Sequence, residues 1–386
     1  MEGKKNSTLL KRILVGAMML ALVFPMLQHK FKWVKETPLN GAVELLERPV
    51  FSYESWFEGT YQDQRTDYLN QNVGFRNAMV RTYNQWHFSF YKQANANGVV
   101  IGKDNYLYEE NYIKAHFGED IRGTEIIQEQ VEKLAKVSDT LKKLGKHLVV
   151  LLAPGKASFY PEYIPRKSTI NLPMNIGARN NLYEYDRLLK GKVPTMNLNS
   201  WFIKNKGKMP HLLYPKTGIH WSKYGEIVMA DTLIKFFNKL PGVQLPHLIV
   251  DSITRKIEMW DTDDDIEKGM NLLFNIPDNE MGYPYFRVVK NPEKKYSKVL
   301  TIADSYFWGP FNGGMSRDLF NDGRFWYYNE AIFPDSYESP LNVKDVDFQK
   351  KLEENDVILI ICTDANLFKF GFGFIEQAYD TYFPKR

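Results

Sequence analysis

Cysteine and unbalanced charge are two things that this sequence has little of. Its one cysteine, Cys362, excludes an intrachain disulfide, and the surrounding apolar run DVILIICTD predicts a buried thiol in a strand. The net charge is only +4, with no dense basic block beyond the N-terminus, which argues against a nucleic-acid-binding protein. Internal repeats and low-complexity tracts are absent too, so an ordinary globular organisation remains.

Aromatic residues, in contrast, are abundant. The 386 residues include 25 Phe, 23 Tyr and 8 Trp, which together make 15% of the chain. An aromatic-rich core explains this content, and so does an aromatic-lined cleft of the kind found in many carbohydrate binders. The length allows one large or two ordinary domains.

The N-terminus predicts export. Four basic residues precede an apolar run over 13–27, and Leu9 and Leu10 extend that run toward the length of a membrane span. No small-residue cleavage site follows, so the pattern favours an uncleaved signal anchor over a cleaved signal peptide. With either, the basic flank stays cytoplasmic and the rest of the chain is exported. We therefore predict residence in the cytoplasmic membrane as a single-pass protein, with the main domain on the periplasmic, extracytoplasmic side.

The rest of the chain alternates helical patterns with short apolar runs. The runs predicted to be strands are HLVVLLAP (147–154), VPTMNLN (193–199), SKVLTIADSYF (297–307) and DVILIICTDANL (356–367). Such alternation predicts an α/β fold with a mainly parallel sheet covered on both faces. We assign 1–29 to the cytoplasmic tail and anchor helix, 30–97 to a membrane-proximal helical region, and 98–386 to the α/β domain.

An insertion without clean periodicity occupies about 243–296 of that domain. It carries the acidic cluster DTDDD (261–265), which lacks the spaced glycine and the twelfth-position Glu of a calcium loop. We interpret the cluster as a solvated loop and predict neither a metal nor a cofactor.

Chemistry in such folds gathers at the carboxyl ends of the strands. Ser305 follows the strand VLTIA at a sharp turn, where a hydroxyl can be presented above the sheet. A serine nucleophile needs a base, and His220, beside Trp221 in a polar turn before a helix, is a histidine in a suitable context. The two residues together predict a nucleophile and its base.

The order of motifs resembles a known family, the SGNH-hydrolase-like proteins of the alginate O-acetyltransferase group (AlgJ/AlgX type). The resemblance covers roughly 60–370 and rests on YLNQNVGFRN, VIGKDNYLY, LVVLLAPGKASFYPEYIP, KTGIHWSKYG and LTIADSYF. It implies an SGNH-like three-layer α/β/α domain that transfers acetyl groups to hydroxyls of an exported or cell-surface polysaccharide. It also implies a multi-span membrane acyltransferase as the partner that supplies those groups.

The resemblance also implies roles for single residues. Ser305 corresponds to the acetyl-accepting nucleophile and His220 to its base, whereas the family's acid position is occupied by Gly218. Three outcomes follow for the missing acid. In the first, Asp364, at a neighbouring strand exit, supplies the carboxylate. In the second, a Ser–His dyad works with a backbone carbonyl that orients the imidazole ring. In the third, the domain is no longer catalytic.

Four further residues are candidates for substrate contact. Lys156 follows the first strand, where it either meets a glycan carboxylate or the oxyanion, or is a solvated loop lysine. Tyr160 stacks on sugar or packs its loop, and Trp221 contacts substrate or wedges the loop beneath His220. Asn366 is a candidate amide donor to an oxyanion.

Two functions follow from these observations. The first is an enzyme, a membrane-anchored O-acetyltransferase or acetylesterase that acts through Ser305 and His220. The second is a catalytically degraded domain that binds glycan or scaffolds an acetylation or export complex.

Overall fold

A computed structural model describes the backbone of residues 2–41, 45–170 and 179–384. The chain divides into two compact units. The first comprises residues 1–97 and 267–275, and the second comprises residues 98–266 and 276–386.

The first unit is helical. Its helices are α1 (Glu2–Phe31), α2 (Tyr53–Glu58), α3 (Thr60–Asn72) and α4 (Arg76–Trp86). Within the described residues, one helical segment is long and apolar enough to cross a membrane: Leu9–Phe31 has a mean hydropathy of 1.9, and its most apolar stretch is not buried. An unburied apolar helix of this length has the properties expected of the predicted anchor.

The second unit is built on a six-stranded sheet. Its strands are β3 (His147–Ala153), β4 (Thr195–Asn197), β7 (Val299–Ala303), β8 (Phe325–Tyr327), β9 (Ala331–Phe333) and β10 (Val357–Thr363). The spatial order is β4-β3-β10-β7-β8-β9, and every neighbouring pair is parallel except the antiparallel pair β8 and β9. The central strands are apolar without alternation because both of their faces are buried.

Helices cover both faces of this sheet. The helices of this unit are α5 (Glu110–Phe117), α6 (Thr124–Lys143), α7 (Lys156–Phe159), α8 (Asn181–Leu189), α9 (Leu198–Asn205), α10 (Lys223–Phe237), α12 (Trp308–Asn312), α13 (Phe348–Glu353) and α14 (Phe374–Tyr382). Apolar side chains of α6, α8 and α14 join one face of the strands in a single buried cluster, and α9 contacts β3. The predicted α/β fold with a mainly parallel sheet is confirmed.

Two antiparallel ribbons lie outside the main sheet. The first pairs β1 (Val99–Ile101) with β2 (Leu107–Glu109), as the turn residues between them predict. The second pairs β5 (His247–Lys256) with β6 (Met281–Val289), and the short helix α11 (Asp265–Met270) lies between them in sequence. The predicted insertion thus contains regular structure that its sequence does not reveal. Most residues of β5 are exposed, and a register shift between Val250 and Ser252 interrupts the pairing, so the alternation of polar and apolar residues is weak.

Candidate active site

Ser305 lies at the carboxyl end of β7, on a turn that is fixed by its neighbour. The buried Asp304 accepts a hydrogen bond from the backbone N–H of Tyr306 at 3.1 Å. Its other oxygen accepts from the backbone N–H of Thr363 at 2.9 Å and from the amide of Asn366 at 2.9 Å. Asp304 therefore ties the exit of β7 to the exit of β10, which holds the Ser305 hydroxyl in a defined position.

His220 approaches Ser305 from the loop that precedes α10. Its Nε2 lies 3.1 Å from Ser305 Oγ, and its Nδ1 lies 2.6 Å from Asp265 Oδ2. The side chains of His220 and Asp265 are 18% and 26% exposed, so the arrangement is sheltered but open to a ligand. A nucleophile, a base and a carboxylate in this order form the hydrogen-bonded chain of a Ser–His–Asp triad.

Asp265 also fixes the loop that carries the histidine. Its second carboxylate oxygen, Oδ1, accepts a hydrogen bond from the backbone N–H of Ile219 at 2.8 Å. One carboxylate therefore positions both the backbone beside His220 and the imidazole itself. Two such contacts restrict the ring to an orientation that points Nε2 at Ser305.

Nearby carboxylates raise the pKa of His220. Burial by itself lowers the pKa of His220, but the hydrogen bond and the negative charge of Asp265 oppose this effect, and Asp304 and Glu109 add to the opposition. The net result is a raised pKa. A raised pKa suits a base that must take a proton from a serine hydroxyl and hold it as an imidazolium.

The carboxylate beside His220 is thus Asp265, not Asp364 as the sequence suggested. Asp364 accepts from the Ser158 hydroxyl at 2.5 Å and from the backbone N–H of Ala365 at 2.8 Å. Burial raises its pKa to about 7, although these hydrogen bonds lower it in part. Asp364 is therefore a structural carboxyl group between two strand exits.

The acidic cluster 261–265 likewise differs from the solvated loop that we predicted. Asp265 contacts the imidazole, and Asp263 is only 1% exposed. At Gly218, where the resemblance implies an acid, a Cβ atom would lie 2.6 Å from the backbone oxygen of Asp263 and 2.7 Å from that of Thr262. The segment that brings in Asp265 therefore fills the room that a side chain at 218 would need.

Lys156 is neither a solvated loop residue nor a ligand for a glycan. It is fully buried, and its Nζ donates to the backbone oxygens of Lys216 at 2.6 Å and Gly218 at 2.8 Å. Burial lowers its pKa to about 7, and the carboxylate of Asp265 opposes this effect in part. Through these contacts Lys156 stabilises residues 216–218, in the loop that carries His220.

The three remaining candidates are also structural in this arrangement. Tyr160 is 7% exposed and packs edge-to-face on Tyr106. Trp221 is fully buried and packs edge-to-face on Tyr306 at 5.1 Å between ring centroids. The amide of Asn366 donates to Asp304, which leaves it engaged away from an oxyanion. All three side chains are buried or nearly so.

Comparisons with known proteins agree with the predicted resemblance. Residues 99–247 match the model of a family described as "SGNH hydrolase-like domain, acetyltransferase AlgX". A probable alginate O-acetylase AlgJ of Pseudomonas putida is 26% identical over 152 residues, which is 39% of this chain and 37% of the relative. One of Pseudomonas fluorescens is 29% identical over 160 residues, with the same coverage. The chain thus matches little more than a third of the length of these curated relatives.

Two solved structures that are similar to this chain are also of AlgJ and AlgX. The O-acetyltransferase domain of Pseudomonas putida AlgJ superposes with a TM-score of 0.46 and 19% identity, covering 74% of this chain and 99% of that one. Pseudomonas aeruginosa AlgX superposes with a TM-score of 0.46 and 14% identity, covering 72% of this chain and 67% of that one. The resemblance to the AlgJ/AlgX type is confirmed by the family match, whose range includes His220 and ends before Asp265 and Ser305.

Proposed function

We propose that this protein is an O-acetyltransferase or acetylesterase that acts on hydroxyls of an exported or cell-surface polysaccharide. The observation that carries the proposal is the hydrogen-bonded chain from Ser305 through His220 to Asp265. The similarity to probable alginate O-acetylases supports acetyl as the group transferred.

The geometry supports a two-step mechanism. Ser305 Oγ attacks the acetyl carbonyl while His220 Nε2 takes its proton, and collapse of the tetrahedral intermediate returns that proton to the leaving group. An acetyl ester on Ser305 remains. In the second step a sugar hydroxyl loses its proton to His220, attacks the ester and leaves as the O-acetyl sugar, with Ser305 reprotonated. Water in place of the sugar gives hydrolysis.

Asp265 contributes by stabilising the imidazolium in both steps. Its carboxylate accepts from Nδ1 and so selects the tautomer that leaves Nε2 free to accept the serine proton. The presence of this carboxylate disfavours the alternative of a degraded, scaffold-only domain, because that alternative was motivated by the missing acid at 218.

The N-terminal helix supports a location for this reaction. Leu9–Phe31 fits a single-pass anchor, and the basic residues before it favour a cytoplasmic N-terminus. The second unit would then lie outside the cytoplasmic membrane, where a multi-span acyltransferase would supply acetyl groups. A C-terminal alkaline phosphatase fusion tests this orientation, since that reporter is active only outside the cytoplasm. An inactive fusion at normal expression contradicts the orientation.

Turnover of a small acetyl ester tests the activity itself. Full-length protein in detergent should hydrolyse 4-nitrophenyl acetate, and Ser305→Ala should reduce the rate to background. Ser339→Ala is the matched control, because Ser339 is an exposed serine outside the site. Equal rates for the wild type and Ser305→Ala rule out the nucleophile and leave the scaffold alternative.

A further inference from the structure

The residue that follows the proposed nucleophile also touches the loop that carries the proposed base. Tyr306 comes directly after Ser305 in the turn at the end of β7, and its side chain is buried. Its hydroxyl donates a hydrogen bond to the backbone oxygen of Ile219 at 2.7 Å. That oxygen belongs to the peptide group between Ile219 and His220. The contact therefore fixes the peptide group that leads into the base.

The ring of Tyr306 contacts the imidazole itself. The centroids of the Tyr306 and His220 rings are 4.9 Å apart, and the ring planes are inclined at 58°. Trp221 packs edge-to-face on the same tyrosine at 5.1 Å between centroids. Tyr306 thus lies against two consecutive side chains of the histidine loop. Because close-packed rings limit the rotation of one another, these contacts restrict the orientation of the imidazole.

Tyr306 is itself held at its backbone and at its ring. Its backbone N–H donates to Asp304 at 3.1 Å. The ring of Tyr112, a buried residue of α5, stacks on it at 6.1 Å between centroids. Tyr306 is therefore fixed to the exit of β7 on one side and to the histidine loop on the other. A residue held in this way couples the position of one segment to that of the other.

The Tyr306 hydroxyl stays protonated, and so stays a donor, at neutral pH. Burial raises the pKa of this hydroxyl well above its ordinary value, and the neighbouring hydroxyl of Tyr214 acts in the same direction. Tyr214 belongs to the same loop as His220. The hydrogen bond to Ile219 is therefore not lost by ionisation of the tyrosine in the pH range where a histidine works as a base.

Asp265 and Tyr306 hold the two ends of the same residue. Asp265 accepts from the backbone N–H of Ile219 at 2.8 Å, whereas Tyr306 donates to its backbone oxygen at 2.7 Å. Asp265 also carries a charge that opposes the effect of burial on the pKa of His220. Tyr306 is neutral, so its contribution is one of geometry. The two contributions can therefore be separated by measuring rate and pH dependence together.

We infer that Tyr306 is a positioning residue of the proposed triad, which joins the turn of Ser305 to the peptide group of His220 and so fixes the separation of nucleophile and base. This inference rests on the proposed function, because positioning matters only if Ser305 and His220 react. It deepens that function by accounting for how two residues 85 positions apart are held at 3.1 Å.

The kinetics of Tyr306→Phe test the inference, because phenylalanine keeps the ring and removes only the hydroxyl. The assay is hydrolysis of 4-nitrophenyl acetate by the full-length protein in detergent. We expect kcat per folded molecule to fall about ten-fold while KM stays within about two-fold, since a displaced base costs rate and not ground-state binding. The acidic limb of the pH–rate profile should not move, because Asp265 still contacts His220. Tyr306→Leu, which loses the ring as well, should lose about 10²-fold or more in kcat.

Tyr185→Phe is the matched control. Tyr185 is also fully buried, and its hydroxyl donates to Gln130 at 2.6 Å in the core between α6 and α8. This variant should melt at a lower temperature than the wild type, as Tyr306→Phe should, but keep the wild-type kcat. If both variants have the same kcat, the inference is overturned, because the Tyr306 hydroxyl then only stabilises the fold. An acidic limb that moves to lower pH in Tyr306→Phe also overturns it, because the residue then acts by displacing Asp265.

Ser305→Ala in the same assay separates this inference from the proposed function. If Ser305→Ala has no turnover while Tyr306→Phe turns over at the wild-type rate, the positioning role fails and the proposed function stands. If Ser305→Ala turns over at the wild-type rate, the proposed function fails, and the positioning role fails with it.

Discussion

The exits of the parallel sheet and the segment 261–265 both bring carboxylates to the same neighbourhood, but the carboxylates do different things. At the sheet exits, Asp304 and Asp364 are buried and hydrogen-bonded to backbone N–H groups and hydroxyls of the fold itself. In the less regular segment, Asp265 is partly exposed and contacts the imidazole of His220.

Asp304 and Asp364 therefore stabilise the fold, whereas Asp265 contacts a residue that is proposed to take part in the reaction. Asp304 fixes the turn on which Ser305 is presented, and Asp364 joins the exits of two neighbouring strands. The carboxylate of Asp265 meets the imidazole that is proposed to react. Functional residues on loops positioned by a rigid sheet are a general pattern. Here the carboxylate that contacts His220 comes from segment 261–265 and not from the loop that carries the histidine.

The largest effect on turnover is expected from removing His220, the proposed base. His220→Gln should reduce acetyl-ester turnover by about 10⁶-fold, because a triad without its histidine loses most of its rate. Stopped assays with 4-nitrophenyl acetate measure this. A residual rate within ten-fold of the wild type contradicts a base at His220.

A smaller effect on turnover is expected from adding a side chain at Gly218. A Cβ at Gly218 meets the backbone of Thr262 and Asp263, so Gly218→Ala should displace the segment that carries Asp265. A shift of about 1 Å costs on the order of 10²-fold in turnover. Thermal melting of the same variant should also occur at lower temperature.

Gly269→Ala is the control for that substitution, since an added Cβ there meets nothing within 4 Å. It should retain both turnover and melting temperature. If Gly218→Ala behaves like Gly269→Ala, the dependence of the site on segment 261–265 is refuted.

The smallest effect on turnover is expected from replacing Asp364. This carboxyl group should instead make the free energy of unfolding depend on pH. Burial raises the pKa of Asp364 from 3.8 to about 7, so between these values the folded state binds more protons than the unfolded state. The stabilisation from this group is therefore complete below pH 3.8 and is lost as the pH rises through 7. Asp364→Asn cannot titrate and lacks this dependence.

Urea unfolding at several pH values between 4 and 8 measures that difference. The free energy of unfolding of the wild type relative to Asp364→Asn should fall as the pH rises toward 7, while turnover per folded molecule stays within about ten-fold. A pH-independent difference in stability, or a loss of turnover as large as that of His220→Gln, would return Asp364 to the catalytic chain.

The regular part of the molecule was predictable because its signals are local. Continuous apolar runs predicted β3, β7 and β10, and the turn after β7 and the polar turn before α10 singled out Ser305 and His220. These two residues lie 85 positions apart and meet at 3.1 Å.

The acid was not predictable because its signal is not local. Asp265 lies 45 residues after His220, within a run of aspartates that reads as a solvated loop, and the paired strands β5 and β6 that flank it lack a clear period. Lys156 was misjudged for a related reason. Its contacts with Lys216 and Gly218 bring together residues about 60 positions apart, and no spacing in the sequence records them.

Asp265→Asn tests the central claim most directly, namely that the acid of this site has moved to the insertion. We predict a fall in turnover of about 10⁴-fold. Because Asp265 raises the pKa of His220, the acidic limb of the pH–rate profile should also move to lower pH in this variant. Turnover within ten-fold of the wild type, with an unchanged acidic limb, would contradict the account.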